Sequence, residues 1–114
     1  MANYLAMIYD NEAAWAAASE EDVAEMLRAH SEFGRANGHA LRGGARLADS
    51  AAATSIRKGT NGDVAVTDGT FAETKEVLGG YYVIEADDFD QALAIAQQIP
   101  SLAGGIELRP IIPG

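Results

Sequence analysis

Two helices that are each apolar along a single stripe constrain this chain most. Ser19 precedes Glu20, Glu21 and Asp22, so its hydroxyl can cap a helix whose first carboxylates meet the positive end of the helix dipole. Val23, Met26, Leu27, His30, Phe33 and Gly34 then recur on one face, and Asn37-Gly38 supplies residues that tolerate the left-handed conformation in which helices commonly end. Asp87 or Asp88 can cap a second helix, with Phe89, Ala92, Leu93, Ala96 and Ile99 as its stripe and Pro100 as its stop. A one-sided helix must bury its stripe against another layer, and the remaining segments read as strands.

Asn3 to Tyr9 is a short apolar run closed by the turn residues Asp10-Asn11. His39 to Leu47 and Ala52 to Lys58 read as two strands joined around Asp49-Ser50. Gly59-Thr60-Asn61-Gly62 carries the Asn-Gly pair of a tight hairpin leading into Val64 to Thr67. Gly79-Gly80 opens a central strand, Tyr81 to Glu85, and Gly105 to Ile111 forms the last one. Ala13 to Ala18 is Ala-rich but too short for a separate unit. The order predicts an α+β fold, the ferredoxin-like sandwich: an antiparallel sheet with both helices on one side. The sheet's other face then needs cover, and a second copy, giving a homodimer, is the simplest source.

The chain has 114 residues, a length for one domain spanning 1–114. It has no cysteine, which excludes disulfides, thiol nucleophiles and Cys-based metal sites and makes a reducing, cytoplasmic setting the expectation. A formal charge of −9 opposes binding to nucleic acid or an anionic membrane. The segment Met1 to Tyr9 has no basic leader and its apolar run is short, so neither a signal peptide nor a membrane-spanning helix is expected.

Asp68-Gly69-Thr70-Phe71-Ala72-Glu73-Thr74-Lys75-Glu76, then Leu78-Gly79-Gly80-Tyr81-Tyr82, resembles the signature of the YCII-related or DGPF-domain family. The likeness continues through Ala86-Asp87-Asp88, Gln91 to Ala94, Ile99-Pro100 and Gly104 to Pro110, so it covers about the last half of the chain. Thr70 stands where the family motif has proline, and so retains an N–H that proline lacks. The resemblance implies a dimeric α+β barrel of ferredoxin-like subunits. It also implies two kinds of function: lyase-type enzymes using a His–Asp pair, and proteins associated with sigma-factor regulators.

His30 on the apolar stripe and Asp68 at the start of the motif form the candidate catalytic pair. An imidazole exchanges a proton near neutral pH, and a carboxylate on its other nitrogen fixes the tautomer. The competing reading makes His30 a core histidine and Asp68 a turn residue. Glu73 and Lys75 are candidates for orienting a polar substrate, or for pairing within the loop. Arg42 and Arg46 alternate onto one side of a Gly-rich strand, a weak signal for a small organic acid, and Arg109 can pair with Glu107 or reach a ligand or second subunit. Trp15, Tyr81 and Tyr82 can line a pocket, although packing is the commoner use of such aromatics.

Other chemistries lack support. Gly79-Gly80 precedes a strand and does not open a helix, so it makes no phosphate loop, and no organic cofactor is expected. His30 and His39 are separated by the helix break, so they do not share one helical face, and no metal is expected. Ser50 and Ser55 lack a nucleophile-elbow context. The expected function is a small cofactor-independent acid–base enzyme acting by elimination or isomerisation on a small acidic metabolite. The alternative is a non-catalytic ligand-sensing or protein-binding module beside a transcriptional regulator.

Overall fold

A computed structural model describes residues 1–72 and 74–114. The elements are β1 (Ala2–Asn11), α1 (Glu12–Ala17), α2 (Glu20–Asn37), β2 (Leu41–Arg46), a 3₁₀ turn (Ser50–Ala52), β3 (Thr54–Lys58), β4 (Val64–Asp68), β5 (Glu76–Ala86), α3 (Phe89–Ala96) and β6 (Gly105–Pro110). Strands pair antiparallel in the order β2-β5-β1-β6, the ferredoxin-like arrangement, and β3 and β4 form a separate two-stranded ribbon. Among the described residues no helix is long and apolar enough to cross a membrane.

Strand alternation divides the main sheet cleanly. Tyr4, Ala6 and Ile8 of β1 and Ile84 and Ala86 of β5 face the helices, where they pack with Phe33, Ala92, Ile95, Ala96 and Ile99. Ile84 is fully buried, so truncating it to alanine removes about 2–5 kcal/mol of stability. The α3 stripe is Ala92, Ile95 and Ala96, with Ile99 buried just beyond the helix; Ile95 is buried where Leu93 was expected, and Phe89 and Leu93 are 43% and 39% exposed. Leu5, Met7, Tyr81 and Val83 project from the opposite face, which no helix covers among the described residues.

The caps at Ser19 and Asp88 form as anticipated, accepting from the backbone N–H of Asp22 at 3.0 Å and of Gln91 at 2.9 Å. The end of α2 differs. Gly38 keeps a right-handed conformation (φ −54°), and the chain turns instead on Asn37, which is buried. Its Nδ2 donates to the Phe33 carbonyl and to Gln98 Oε1, each at 3.1 Å, tying the ends of α2 and α3 together. A short helix, α1, also forms where no separate unit was expected. Asn11 caps it by accepting from the Ala14 N–H at 3.0 Å, and Glu12 accepts from the Ser50 N–H at 2.7 Å, so tertiary contacts hold six residues that have little helical stability alone.

The Asn61-Gly62 hairpin forms with Gly62 at φ +89°, and Gly69 at φ +90° makes the turn after β4, where a Cβ would be strained. Thr70, in the proline position of the motif, uses its hydroxyl to bond the Ala72 carbonyl at 2.8 Å. The molecule measures 46 × 42 × 17 Å, and its radius of gyration of 16.1 Å exceeds the value of about 13 Å for a compact chain of this length. The excess is the projecting ribbon, on which Ile56, Val64 and Val66 are all more than half exposed.

Candidate functional site

A cleft of about 290 Å³ lies between the middle of α2 and the sheet. Its origin is a local loss of side chains. Register places Gly44 opposite Tyr82 and Arg46 opposite Gly80 on the helix-facing side of the sheet, so glycines stand where large side chains would otherwise meet α2. Val23 and Met26 are accordingly only half-buried and Leu27 is 42% exposed, whereas Phe33 further along the same stripe is in the core. These glycines are constrained: a Cβ on Gly44 would stand 2.9 Å from a Tyr82 ring carbon, and one on Gly80 would stand 2.9 Å from the Ala45 carbonyl oxygen.

His30 enters this cleft half-buried, with its Nδ1 2.9 Å from the Tyr82 hydroxyl and its ring stacked at 6.0 Å from that of Tyr82. Phe33 holds Tyr82 from the other side, with ring centroids 4.9 Å apart. Burial pushes the His30 pKa below the ordinary histidine value; the Asp10 carboxylate opposes that shift and the Arg46 guanidinium adds to it. Burial also raises the Tyr82 pKa, so its phenol stays protonated at neutral pH. A neutral imidazole so held offers two states. With Nδ1–H donating to Tyr82, Nε2 carries a lone pair and can accept a proton; in the other tautomer Nε2–H can donate one.

The carboxylate beside His30 is Asp10, which sequence reading assigned to a turn. A bulge between Ile8 and Tyr9 sets Gly79 out of register in β5, and a Cβ there would overlap the Asp10 side chain. The Gly79-Gly80 pair thus clears space for an acid in the cleft. Asp68 is placed elsewhere: it ends β4 on the ribbon, opposite Thr54, exposed, and does not line the cleft. Within one chain the anticipated His30–Asp68 pair is therefore not assembled.

The arginines also separate. A bulge between Leu41 and Gly43 shifts the register by one, which sends Arg42 and Arg46 to opposite faces despite their even spacing. Arg42 pairs with Glu85 at 3.0 Å and bonds the carbonyls of His39 and Leu41, while Arg46 lines the cleft with its guanidinium 5.4 Å over the Trp15 ring. Tyr81 borders the cleft through its strand position, but alternation sends its side chain to the face shared by Met7 and Ala45. Tyr82 and Trp15, offered with Tyr81 as pocket-lining or packing aromatics, both line the cleft, with Tyr82 presenting its hydroxyl to His30. Arg109 pairs with Glu107 at 2.9 Å on the exposed face of β6. Lys75 is exposed and outside the cleft, and Glu73 lies outside the described residues.

A family model described as "YCII-related domain" matches residues 2–113. An uncharacterised protein of Rhizobium meliloti (strain 1021) is 34% identical over 113 residues, covering 95% of this chain and 90% of its own length. The match extends well beyond the motif-bearing half, to the β1–α2 region that carries Asp10, Trp15 and His30.

Proposed function

The chain belongs to the YCII-related family, and from that premise we propose that its cleft is a small acid–base site, acting without an organic cofactor on a small acidic metabolite. The observation that carries this reading is His30: neutral near physiological pH and fixed 2.9 Å from a protonated Tyr82, in a cavity that also contains Asp10 and Arg46. His30 takes or returns a proton, Tyr82 fixes its orientation, and Asp10 stabilises the imidazolium that forms. Elimination or isomerisation is the reaction class that needs nothing more than such a proton shuttle. The cavity volume suits a metabolite of one ring or a few carbons.

The working unit in this proposal is a homodimer. A molecule only 17 Å thin, with Leu5, Met7, Tyr81 and Val83 on an uncovered sheet face and an apolar ribbon beside it, leaves more surface to bury than a monomer can cover. Sedimentation should give twice the mass of the 114-residue chain. The projecting ribbon, with exposed Ile56, Val64 and Val66, is also what favours the second reading, a module that binds a regulator.

The deciding experiment is proton–deuterium exchange at the carbon next to the carbonyl in pyruvate and phenylpyruvate, followed by NMR in deuterated water. The acid–base reading expects exchange above buffer, abolished in His30→Gln with fold and mass unchanged. Absence of exchange in the wild-type protein, with either compound, moves the binding-module reading to first place.

A further inference from the structure

Helix α1 is the least embedded part of the wall around His30. None of its six residues is buried as a whole, and two extended residues, Ala18 and Ser19, separate it from α2. Among the described residues, its side-chain hydrogen bonds to the rest of the fold all come from Glu12. That carboxylate accepts from the Ser50 hydroxyl and, at 2.7 Å, from the Ser50 N–H. Both donors favour the ionised form and hold the Glu12 pKa below the ordinary glutamate value. The other hold on α1 is the exposed Arg46 guanidinium, 5.4 Å over the Trp15 ring, a contact that contributes little in water.

Trp15 stands where two cavities meet. It lines the His30 cleft of about 290 Å³ and a neighbouring cavity of about 510 Å³, and Asp10, Arg46 and Gly79 border both. The indole nitrogen is buried and, among the described residues, has no hydrogen-bond partner. Water would satisfy that donor if α1 moved outward, so the seated position carries a cost that the raised one does not. We propose that α1 is a hinged lid on the His30 cleft, with Trp15 as its inner surface and Glu12 on Ser50 as its latch. The lid swings on Asn11 at one end and on Ala18-Ser19 at the other. Raised, it joins the two cavities and opens a way to His30; seated, it narrows that way and excludes water. A short element with little burial and one latch opens locally, at a free energy well below that of global unfolding. The inference goes beyond the acid–base reading, since such a lid gates a bound ligand and a reacting one alike.

The sequence holds a single tryptophan, so one indole signal reports the motion. Exchange of the Trp15 indole N–H in deuterated water is followed by NMR in the wild type, Glu12→Ala and Ser50→Ala, beside the slowest backbone amides of β5, which report global unfolding. Alanine is the strongest helix former, so Glu12→Ala leaves the propensity of α1 intact. In the wild type the indole should be protected about tenfold or more below those amides. Glu12→Ala should speed its exchange about tenfold, and Ser50→Ala by less, because the backbone donor remains. Access to the cleft is read separately, as acylation of His30 by diethyl pyrocarbonate with the exposed His39 as internal control. The charges that shift His30 are those of Asp10 and Arg46, so a higher His30-to-His39 rate ratio in Glu12→Ala reports access and not a change in the imidazole. An indole as protected as the β5 amides, an unchanged exchange rate in Glu12→Ala, or faster exchange with an unchanged His30-to-His39 ratio would each overturn the lid. If Glu12→Ala does not fold, Ser50→Ala and the wild-type comparison still decide. These readouts need no substrate, so a failure here is separate from a failure of proton exchange at His30.

Discussion

Tyr82→Phe removes one oxygen atom from the cleft and nothing else. The phenylalanine ring keeps the contact with Phe33 at 4.9 Å and the stack on His30 at 6.0 Å, so the hydrophobic contribution is unchanged and the loss is confined to the 2.9 Å bond to Nδ1. A hydrogen bond between neutral groups contributes about 1 kcal/mol net, and leaving the half-buried Nδ1 unpaired places the cost toward the upper part of the usual range, about 1.5 kcal/mol. For a domain of this size that lowers the melting temperature by roughly 5 °C. The effect on titration has its own sign. The phenol oxygen accepts from the imidazolium more strongly than it bonds the neutral ring, so its removal should lower the His30 pKa further. Histidine NMR titration reads this directly, with His39, the other of the two histidines, as an internal control. A Tyr82→Phe protein whose stability and His30 titration both match the wild type would refute the role given to this bond.

Stability should also depend on pH through His30. Its pKa is depressed in the folded protein, chiefly by burial, so between the native value and the unfolded value of about 6.5 the unfolded chain binds more protons. The stabilising contribution is present in full above about pH 6.5 and is lost as pH falls toward the native value. Urea titrations at stepped pH should show that slope, and His30→Gln should lose it. Asn37→Ala breaks the bonds to the Phe33 carbonyl and Gln98 at the junction of two helices and should cost about 2 kcal/mol by chemical denaturation. Gly79→Ala puts a Cβ into the space of the Asp10 carboxylate. The His30 pKa should drop as the raising influence of Asp10 is withdrawn, with helix content by circular dichroism unchanged.

Local chemistry explains which parts of the fold were readable from residues alone. Caps at Ser19 and Asp88, the Asn-Gly turn at 61–62 and the stripe carrying His30 and Phe33 depend on neighbours within a few positions, and each appears where its chemistry placed it. The α1 helix was not legible, because six Ala-rich residues carry no periodicity and are held by Asn11 and by Ser50 across the fold. Likewise the motif made Asp68 conspicuous, while Asp10 looked like a turn residue at the end of an apolar run.

By itself, then, the sequence determined the types and order of the elements other than α1, the α+β class and the placement of His30 on one helical face, since propensity, capping and periodicity are short-range. Tertiary structure decided which groups meet His30. Two single-residue irregularities, one setting Gly79 out of line and one at Arg42, sort Asp10 and Arg46 into the cleft and Arg42 away from it. A strand's side chains alternate with period two, so one extra residue reverses every assignment beyond it, and only the paired register reveals where that residue falls.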